Sequence, residues 1–580
     1  MPKSLRSGFL SWNEHLVHMP LVQRILMIGL AAGTLIIPIS LGAMPASAVP
    51  ATSTISGTVT RASDHTPVAD VFVTAYKTGF EATACYIECA FVLSGQTDVA
   101  GNFSLAGLPA GSYSLSVDDY TPSDQLATQW YSGRSTYATA TAVTVAAGQT
   151  LTGIDFALAS GASASGTLSI AGTSTSDVMV SLFEKAGKLW HLAGNVAYLS
   201  AQGPYTSTSS LPAGTYRVGF TDMATSPSLA PSFSSNQPNA ESGSDVTITA
   251  GQAISNLDAS MSSFSPKTVS DVARISGADR YATSVAIAQH GFPSGAPVVF
   301  VATGTNYPDA LAAGPAAAKL GGPLLLTQPT ALPSSVAAEV QALNPHKIYV
   351  VGGTGAVSDS VVSDLQAIAP SASVARVAGT DRYDTGRKVV QLAFGGSGAV
   401  PGAYLATGAN FPDALSAAAA AGVQSEPVIL VNGAATTLDQ PTSSLISSLG
   451  LSYATVVGGP SAVSAGIVTG LQNLIQTIST TNGIGVRVIA GPDRYATSAL
   501  IAKDAFLTVD TAYVATGTQF PDALAASALA GESGYPLLTV QPDCVPQVTL
   551  AQIGTLGVTQ LNLIGGTSAL GTGVQSLKQC

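Results

Sequence analysis

One pattern recurs three times in this chain, in the same order and at nearly constant spacing. Gly277-Ala-Asp-Arg-Tyr-Ala-Thr283 returns as Gly379-Thr-Asp-Arg-Tyr-Asp-Thr385 and as Gly491-Pro-Asp-Arg-Tyr-Ala-Thr497. Ala302-Thr-Gly-Thr-Asn-Tyr-Pro-Asp-Ala-Leu311 returns as Ala406-Thr-Gly-Ala-Asn-Phe-Pro-Asp-Ala-Leu415 and as Ala515-Thr-Gly-Thr-Gln-Phe-Pro-Asp-Ala-Leu524. Each copy then has a strand ending in two glycines: Val350-Val-Gly-Gly353, Val456-Val-Gly-Gly459 and Leu563-Ile-Gly-Gly566. The glycines of Ala-Thr-Gly, at 304, 408 and 517, lie 104 and 109 residues apart. Such tandem copies expose alanine-rich faces that neighbouring copies must cover.

Within a copy, apolar runs alternate with helical stretches. Val298–Val301, Pro323–Leu326 and Ile348–Val351 read as buried parallel strands, with helices expected over Asp309–Leu320 and Ser334–Leu343 between them. This alternation implies βαβ crossovers and an open parallel sheet covered by helices.

Residues 50–262 have a different texture. Short alternating runs such as Ile55–Thr60, Val71–Tyr76 and Ser112–Val117 are separated by turn residues, the pattern of a β-sandwich. Here too there is duplication, at about 100 residues. Leu108-Pro-Ala-Gly-Ser-Tyr113 returns as Leu211-Pro-Ala-Gly-Thr-Tyr216, and Ser56-Gly-Thr-Val59 as Ser165-Gly-Thr-Leu168.

Charged residues are only 9% of the chain and hydrophobic ones 46%, with 22 Lys+Arg against 33 Asp+Glu. That excludes an acidic disordered chain and a basic nucleic-acid binder. Lys3, Arg6 and Arg24 precede a charge-free apolar run, 25–43, and Ala46-Ser47-Ala48 then offers a signal-peptidase site. Residues 1–48 are expected to be a cleaved secretory signal; an uncleaved membrane anchor is the alternative. Cleavage takes away three bases and one acid, leaving 19 basic against 32 acidic residues, net −13.

The four cysteines suit an exported chain with two disulfides. Of the three possible connectivities, Cys85–Cys89 and Cys544–Cys580 are expected, because each pair then lies inside one domain. A metal site at Cys85 and Cys89 would need two more ligands, and only His65 is near in sequence.

The triple motif resembles the type-2 cell wall-binding repeat family of Gram-positive bacteria. The resemblance implies three Rossmann- or flavodoxin-like α/β repeats in a pseudo-three-fold unit, holding the chain non-covalently to an anionic wall polymer or to peptidoglycan. The Asp-x-x-Gly-x-Phe turn at Asp98–Phe103 before Leu-Pro-Ala-Gly-x-Tyr resembles the carboxypeptidase-regulatory-like (prealbumin-like, starch-binding-like) domain. Such a domain acts as a spacer or carbohydrate-binding module. The expected organisation is therefore a signal at 1–48, β-sandwiches at 50–160 and 161–262, a linker at 263–271, and repeats at 272–372, 373–483 and 484–580.

Candidate wall-polymer residues are Arg280, Arg382 and Arg494, with Tyr281, Tyr383 and Tyr495, and Asp309, Asp413 and Asp522. The arginines either grip a phosphate or carboxylate or pair with the aspartates, across repeat interfaces. Arg274 and Arg376 stand three residues before the motif glycine, but the third copy has Val488 there and Arg487 beside it. Asp279 is an expected helix N-cap. Trp130, Tyr131 and Trp190 are candidates for sugar stacking, with core packing as the alternative.

No Gly-x-Ser-x-Gly, His-Glu-x-x-His or P-loop lysine occurs, and the double glycines do not keep a dinucleotide spacing. The expectation is a secreted cell-surface protein that is not an enzyme, without cofactor, metal or nucleic-acid partner. After signal cleavage it has no membrane contact. The alternative is a secreted carbohydrate-binding accessory of a polysaccharide-degrading system, amylase-like or wall-hydrolase.

Overall fold

The computed structural model describes residues 52–78, 91–119, 125–172, 177–207, 210–224, 227–265, 269–396, 400–478 and 485–580. The expected signal and the Cys85–Cys89 pair lie outside the described residues.

The two β-sandwiches are built to one plan. In the first, Ser53–Arg61 pairs with Asn102–Leu108, Thr150–Leu151 and Phe156–Leu158. The facing sheet runs Phe91–Gln96, Phe72–Lys77, Gly111–Asp118, Gln129–Trp130, with Val143–Val145 also on Gly111–Asp118. In the second, Ser163–Ile170 pairs with Gly203–Thr206, Ala253–Ile254 and Ala259–Met261, and the facing sheet is led by the hairpin Val178–Ala186 and Leu189–Leu199. The duplicated motifs fall at equivalent joints. The Tyr113 hydroxyl donates to the Pro109 carbonyl at 2.6 Å, and Tyr216 donates to Ala213 at 3.1 Å. Phe103 of the first copy and Tyr205 of the second are buried in their cores.

The three α/β repeats form three four-stranded parallel sheets, and each sheet borrows a strand. Leu324–Thr327, Val298–Thr303 and Lys347–Val351 are joined by Ser373–Val377, which precedes the motif of the second repeat. Val428–Val431, Gly402–Thr407 and Tyr453–Val457 are joined by Val486–Ile489 from the third. Leu537–Val540, Thr511–Thr516 and Gln560–Ile564 take Asp271–Ile275, the start of the first repeat. The exchange is cyclic, so the three repeats close into a ring whose first strand completes its last sheet.

Three alanine-rich helices line the ring's axis: Ala313–Lys319, Pro412–Val423 and Pro521–Ser533. Small residues at equivalent positions let them approach. A Cβ on Gly314 would strike the Ser527 hydroxyl, and one turn further on Gly422 and Gly531 face each other with Ala318 beside both. The first helix is shorter than the expected Asp309–Leu320. Pro315 stands where the other repeats have Ala419 and Ala528, and proline has no N–H to bond back to Leu311. Ser334–Leu343 forms as expected.

Of the stretch 263–271, expected as a linker, residues 266–268 lie outside the described residues, and the described ones touch the ring. Phe264 packs against Gly554, Val269 is buried in the ring's core, and Asp271 enters a strand. Phe264 and Val269 supply the apolar contacts there, and it is the Ser/Pro texture of the stretch that reads as a linker.

Cys544 and Cys580 are bonded, 36 residues apart. The chain-entropy model values closure of such a loop at about 4 kcal/mol. Cys544→Ala with Cys580→Ala is therefore expected to lower unfolding free energy by about that amount. Denaturant melts that leave the midpoint unmoved would refute it.

Candidate functional site

Each motif residue has a defined local job, repeated three times. The motif's first glycine donates its N–H to the motif threonine: Gly277 to Thr283 at 3.1 Å, and Gly379 to Thr385 and Gly491 to Thr497 at 3.0 Å. Asp279, Asp381 and Asp493 cap the following helices, each accepting a backbone N–H at 2.8 Å, from Ala282, Asp384 and Ala496. Arg280, Arg382 and Arg494 donate through Nη1 to the Ala-Thr-Gly carbonyls of Gly304, Gly408 and Gly517, at 2.6, 2.8 and 2.6 Å. Tyr281, Tyr383 and Tyr495 lie against the same glycines, and a Cβ there would come within 2.7–2.8 Å of the ring. That contact is why the loop needs glycine.

The aspartates of Pro-Asp-Ala-Leu meet these arginines across repeat boundaries. Asp309 feels Arg382, Asp413 feels Arg494 and Asp522 feels Arg280, so the relation runs once around the ring. Between the first and second repeats they border a cavity of about 370 Å³, lined by Thr303, Thr305, Asn306, Asp309, Ala356 and Arg382 among others. The cleft opens at the carboxyl ends of the strands, where open α/β sheets bind ligands. Gly352, Gly458 and Gly565, the first of each double glycine, have no room for a side chain beside Asp309, Asp413 and Asp522. Beside the clefts, Tyr307, Phe411 and Phe520 gather round the axis with ring centroids 5.4–6.1 Å apart. Tyr307 also donates to the Ala409 carbonyl at 2.9 Å.

Burial pushes all three carboxyls up. For Asp309 the Thr385 hydroxyl and Arg382 pull against it, and for Asp413 Arg494 does. Asp522 is pushed from 3.8 to about 6, with Arg280 opposing. A folded-state pKa above the unfolded one means that the fold holds its proton longer. The stability gained is complete below the unfolded value and lost as pH rises through about 6. At 1.36 kcal/mol per unit this is about 3 kcal/mol for Asp522. Asp522→Asn is expected to flatten that loss between pH 4 and 7, read from denaturant melts. An unchanged pH profile would refute the assignment.

Arg274 and Arg376 brace the double-glycine loops. Arg274 donates to the carbonyls of Gly565 and Leu570 at 2.7 and 2.9 Å, and Arg376 to Gly352 and Val357 at 2.9 and 2.7 Å. At the third joint Val488 is exposed in that place. Arg487 points to the other face of the strand and pairs with buried Asp504, both contacts at 2.5 Å.

The candidate sugar-stacking residues are engaged internally. Trp130 is buried between Tyr76 and Tyr137, so its ring offers no face to solvent. Tyr131 packs edge-on to Phe156. Trp190 donates to Glu241 at 2.8 Å, lies under Lys185 and Arg217, and joins a cluster that includes Leu507 of the third repeat.

The clefts can thus present hydroxyls, amides and a carboxyl to a hydroxyl-rich ligand. Each motif arginine has five donors, and only one of them is given to the glycine carbonyl. Sequence reasoning missed Thr303, Thr305, Asn306 and Ala356, which belong to or adjoin the recurring motifs. Among the described residues no group of three or more His, Cys, Asp or Glu could hold a metal ion.

Two family models match the chain. The model of cell wall binding domain 2 matches residues 274–362, 376–468 and 488–575, and that of the carboxypeptidase regulatory-like domain matches 54–159. N-acetylmuramoyl-L-alanine amidase LytC of Bacillus subtilis is 28% identical over 313 residues, 54% of this chain and 59% of the amidase. The amidase enhancer of the same organism is 27% identical over 304 residues, 52% of this chain and 39% of the enhancer. The match therefore leaves much of either relative's length uncovered. Among solved structures, Cwp6 from Clostridium difficile superposes with a TM-score of 0.49 at 21% identity, covering 72% of this chain and 68% of its own.

Proposed function

The ring consists of three repeats of the cell wall binding domain 2 family, preceded by a carboxypeptidase regulatory-like domain, and from that premise we propose that this chain is a secreted surface protein attached non-covalently to the bacterial cell wall. The observation that carries the reading is the three family matches, which together span the closed ring. The partner is an anionic wall polymer or peptidoglycan, met at the inter-repeat clefts, where Arg382 lines the cavity beside Asp309. Net charge limits how it is met. A chain of net −11 is not drawn to a polyanion by its overall field, so contact rests on local arginine donors and on hydroxyl and amide groups.

The chain reads as a binder without catalysis. The names of the two relatives describe an amidase and its enhancer, and the likeness to the amidase falls on the binding region. The β-sandwiches serve as a spacer, the second of them seated on the ring. A glycan-binding role has less support, because Trp130 and Trp190 are committed to internal contacts. The test is a wash of intact cells that make the protein. A mild buffer should leave it on the cells and a chaotrope should release it. Full release into mild buffer would overturn attachment.

A further inference from the structure

The three central helices begin at the clefts and end at the opposite pole of the ring, about 18 Å away for a helix of twelve residues. That far pole is occupied. The tip between Val178–Ala186 and Leu189–Leu199 of the second sandwich sits there, and with the ends of all three helices it borders a cavity of about 540 Å³. Residues 186–189 meet 318–321 of the first repeat, Gly422, Val423 and Ser425 of the second, and Glu532 of the third. Leu189 is 8% exposed and belongs to the ring's own core cluster. Lys188 lies 3.3 Å from Glu532, at helix ends whose carbonyl dipoles favour a cation.

A second contact fixes the same domain. Asn239, fully buried, donates to the Gly557 carbonyl at 2.8 Å, and the Ala240 N–H donates to the Thr508 hydroxyl at 3.2 Å. Gly557 has a φ of +75° and no room for a side chain against Pro238. Phe264 packs on Gly554 beside it. A tethered spacer touching the ring by chance would not bury an asparagine amide or seat a leucine in its core, since a buried polar group costs free energy unless it is bonded.

We propose that the hairpin 178–199 is a built-in cap for the helix-end pole of the ring, which makes the second β-sandwich a fixed fourth member of the repeat unit. Its partner is the ring itself, recognised by an apolar tip that carries one cation. The sandwiches then leave the ring from the pole opposite the clefts. This concerns the joint between domains and is independent of whether the ring binds wall.

Hydrogen exchange on the full chain tests it without any ligand. In the wild-type chain, the Ala186 and Leu189 amides, paired across the tip, should exchange at least about a hundredfold more slowly than in an unprotected peptide. Leu189→Asp should speed exchange at 186–189 and at the three helix ends, 318–321, 422–425 and 531–534, by about tenfold or more. The cleft loops 304–307, 408–411 and 517–520 should be unchanged. Val99→Asp, on an exposed turn of the first sandwich, should change neither. If Leu189→Asp does not fold, Asn239→Ala gives the milder form, with faster exchange at 556–559. Free exchange of the tip in the wild-type chain would overturn the cap. So would a Leu189→Asp or Asn239→Ala variant whose ring amides match those of the wild-type chain.

Discussion

Replacing Ala273 with proline is expected to open the sheet of the third repeat, 289 residues downstream at Asn562. Asp271–Ile275 is an edge strand, and its only sheet neighbour among the described residues is Gln560–Ile564. The Ile275 carbonyl accepts from the Gly565 N–H at 2.9 Å. Backbone groups of alternate residues share a direction, so the Ala273 N–H also faces the ladder. Proline removes that donor and leaves the facing carbonyl without its partner, at a cost of about 1–3 kcal/mol. The Ala273 side chain is exposed, so Ala273→Val serves as a control for side-chain size. Exchange at 560–564 should rise in the proline variant, with a lower melting temperature for the ring. Faster exchange confined to 280–351 would refute cyclic closure.

Arg487→Met is expected to cost about 3–5 kcal/mol, the range for breaking a buried ion pair on one side. Asp504 is only 6% exposed, and burial already pushes it up to about 6 against the pull of Arg487. Without the arginine its pKa in the fold climbs further, and stability then falls as pH rises through that value. The loss should therefore be larger at pH 8 than at pH 5. Replacing both partners, Arg487→Met with Asp504→Leu, should recover much of it, since no charge is left buried. A loss that does not vary with pH, or a double variant no better than the single one, would show that no buried ion pair is broken.

The contrast between Arg487 and Val488 marks how far the sequence could be read. The displaced arginine is visible in the alignment of copies, and so is the question it raises about the third joint. Its meaning needs the strand: neighbours point to opposite faces, so a shift of one residue moves the guanidinium from the double-glycine loop to Asp504 and Thr455. The capping aspartates and the Ser334–Leu343 helix were legible because they rest on local rules. Pairing of the motif arginines with the aspartates across repeats is one of the two readings the sequence leaves open, and in the structure each aspartate feels the neighbouring repeat's arginine. The structure adds the glycine carbonyls, which leave no trace in side-chain identity.

The exchanged strands were not legible. Asp271–Ile275 and Ser373–Val377 are short, half-exposed and charged, as suits sheet edges. Periodicity can reveal a strand, but it does not say which sheet the strand joins. The docked hairpin was hidden for a related reason. Gly187-Lys188 reads as an ordinary solvent turn, and the apolar Leu189 next to it gains meaning only from the three helix ends it meets.

In the function proposed above, the closed ring of three repeats attaches this chain to the cell wall. Sedimentation of the full chain with purified Gram-positive cell walls tests it most directly. The protein is expected to pellet with the walls in buffer of ordinary ionic strength, to be released by chaotrope, and to free no soluble wall fragments while bound. A protein that stays in the supernatant at every salt and divalent-cation concentration would contradict it.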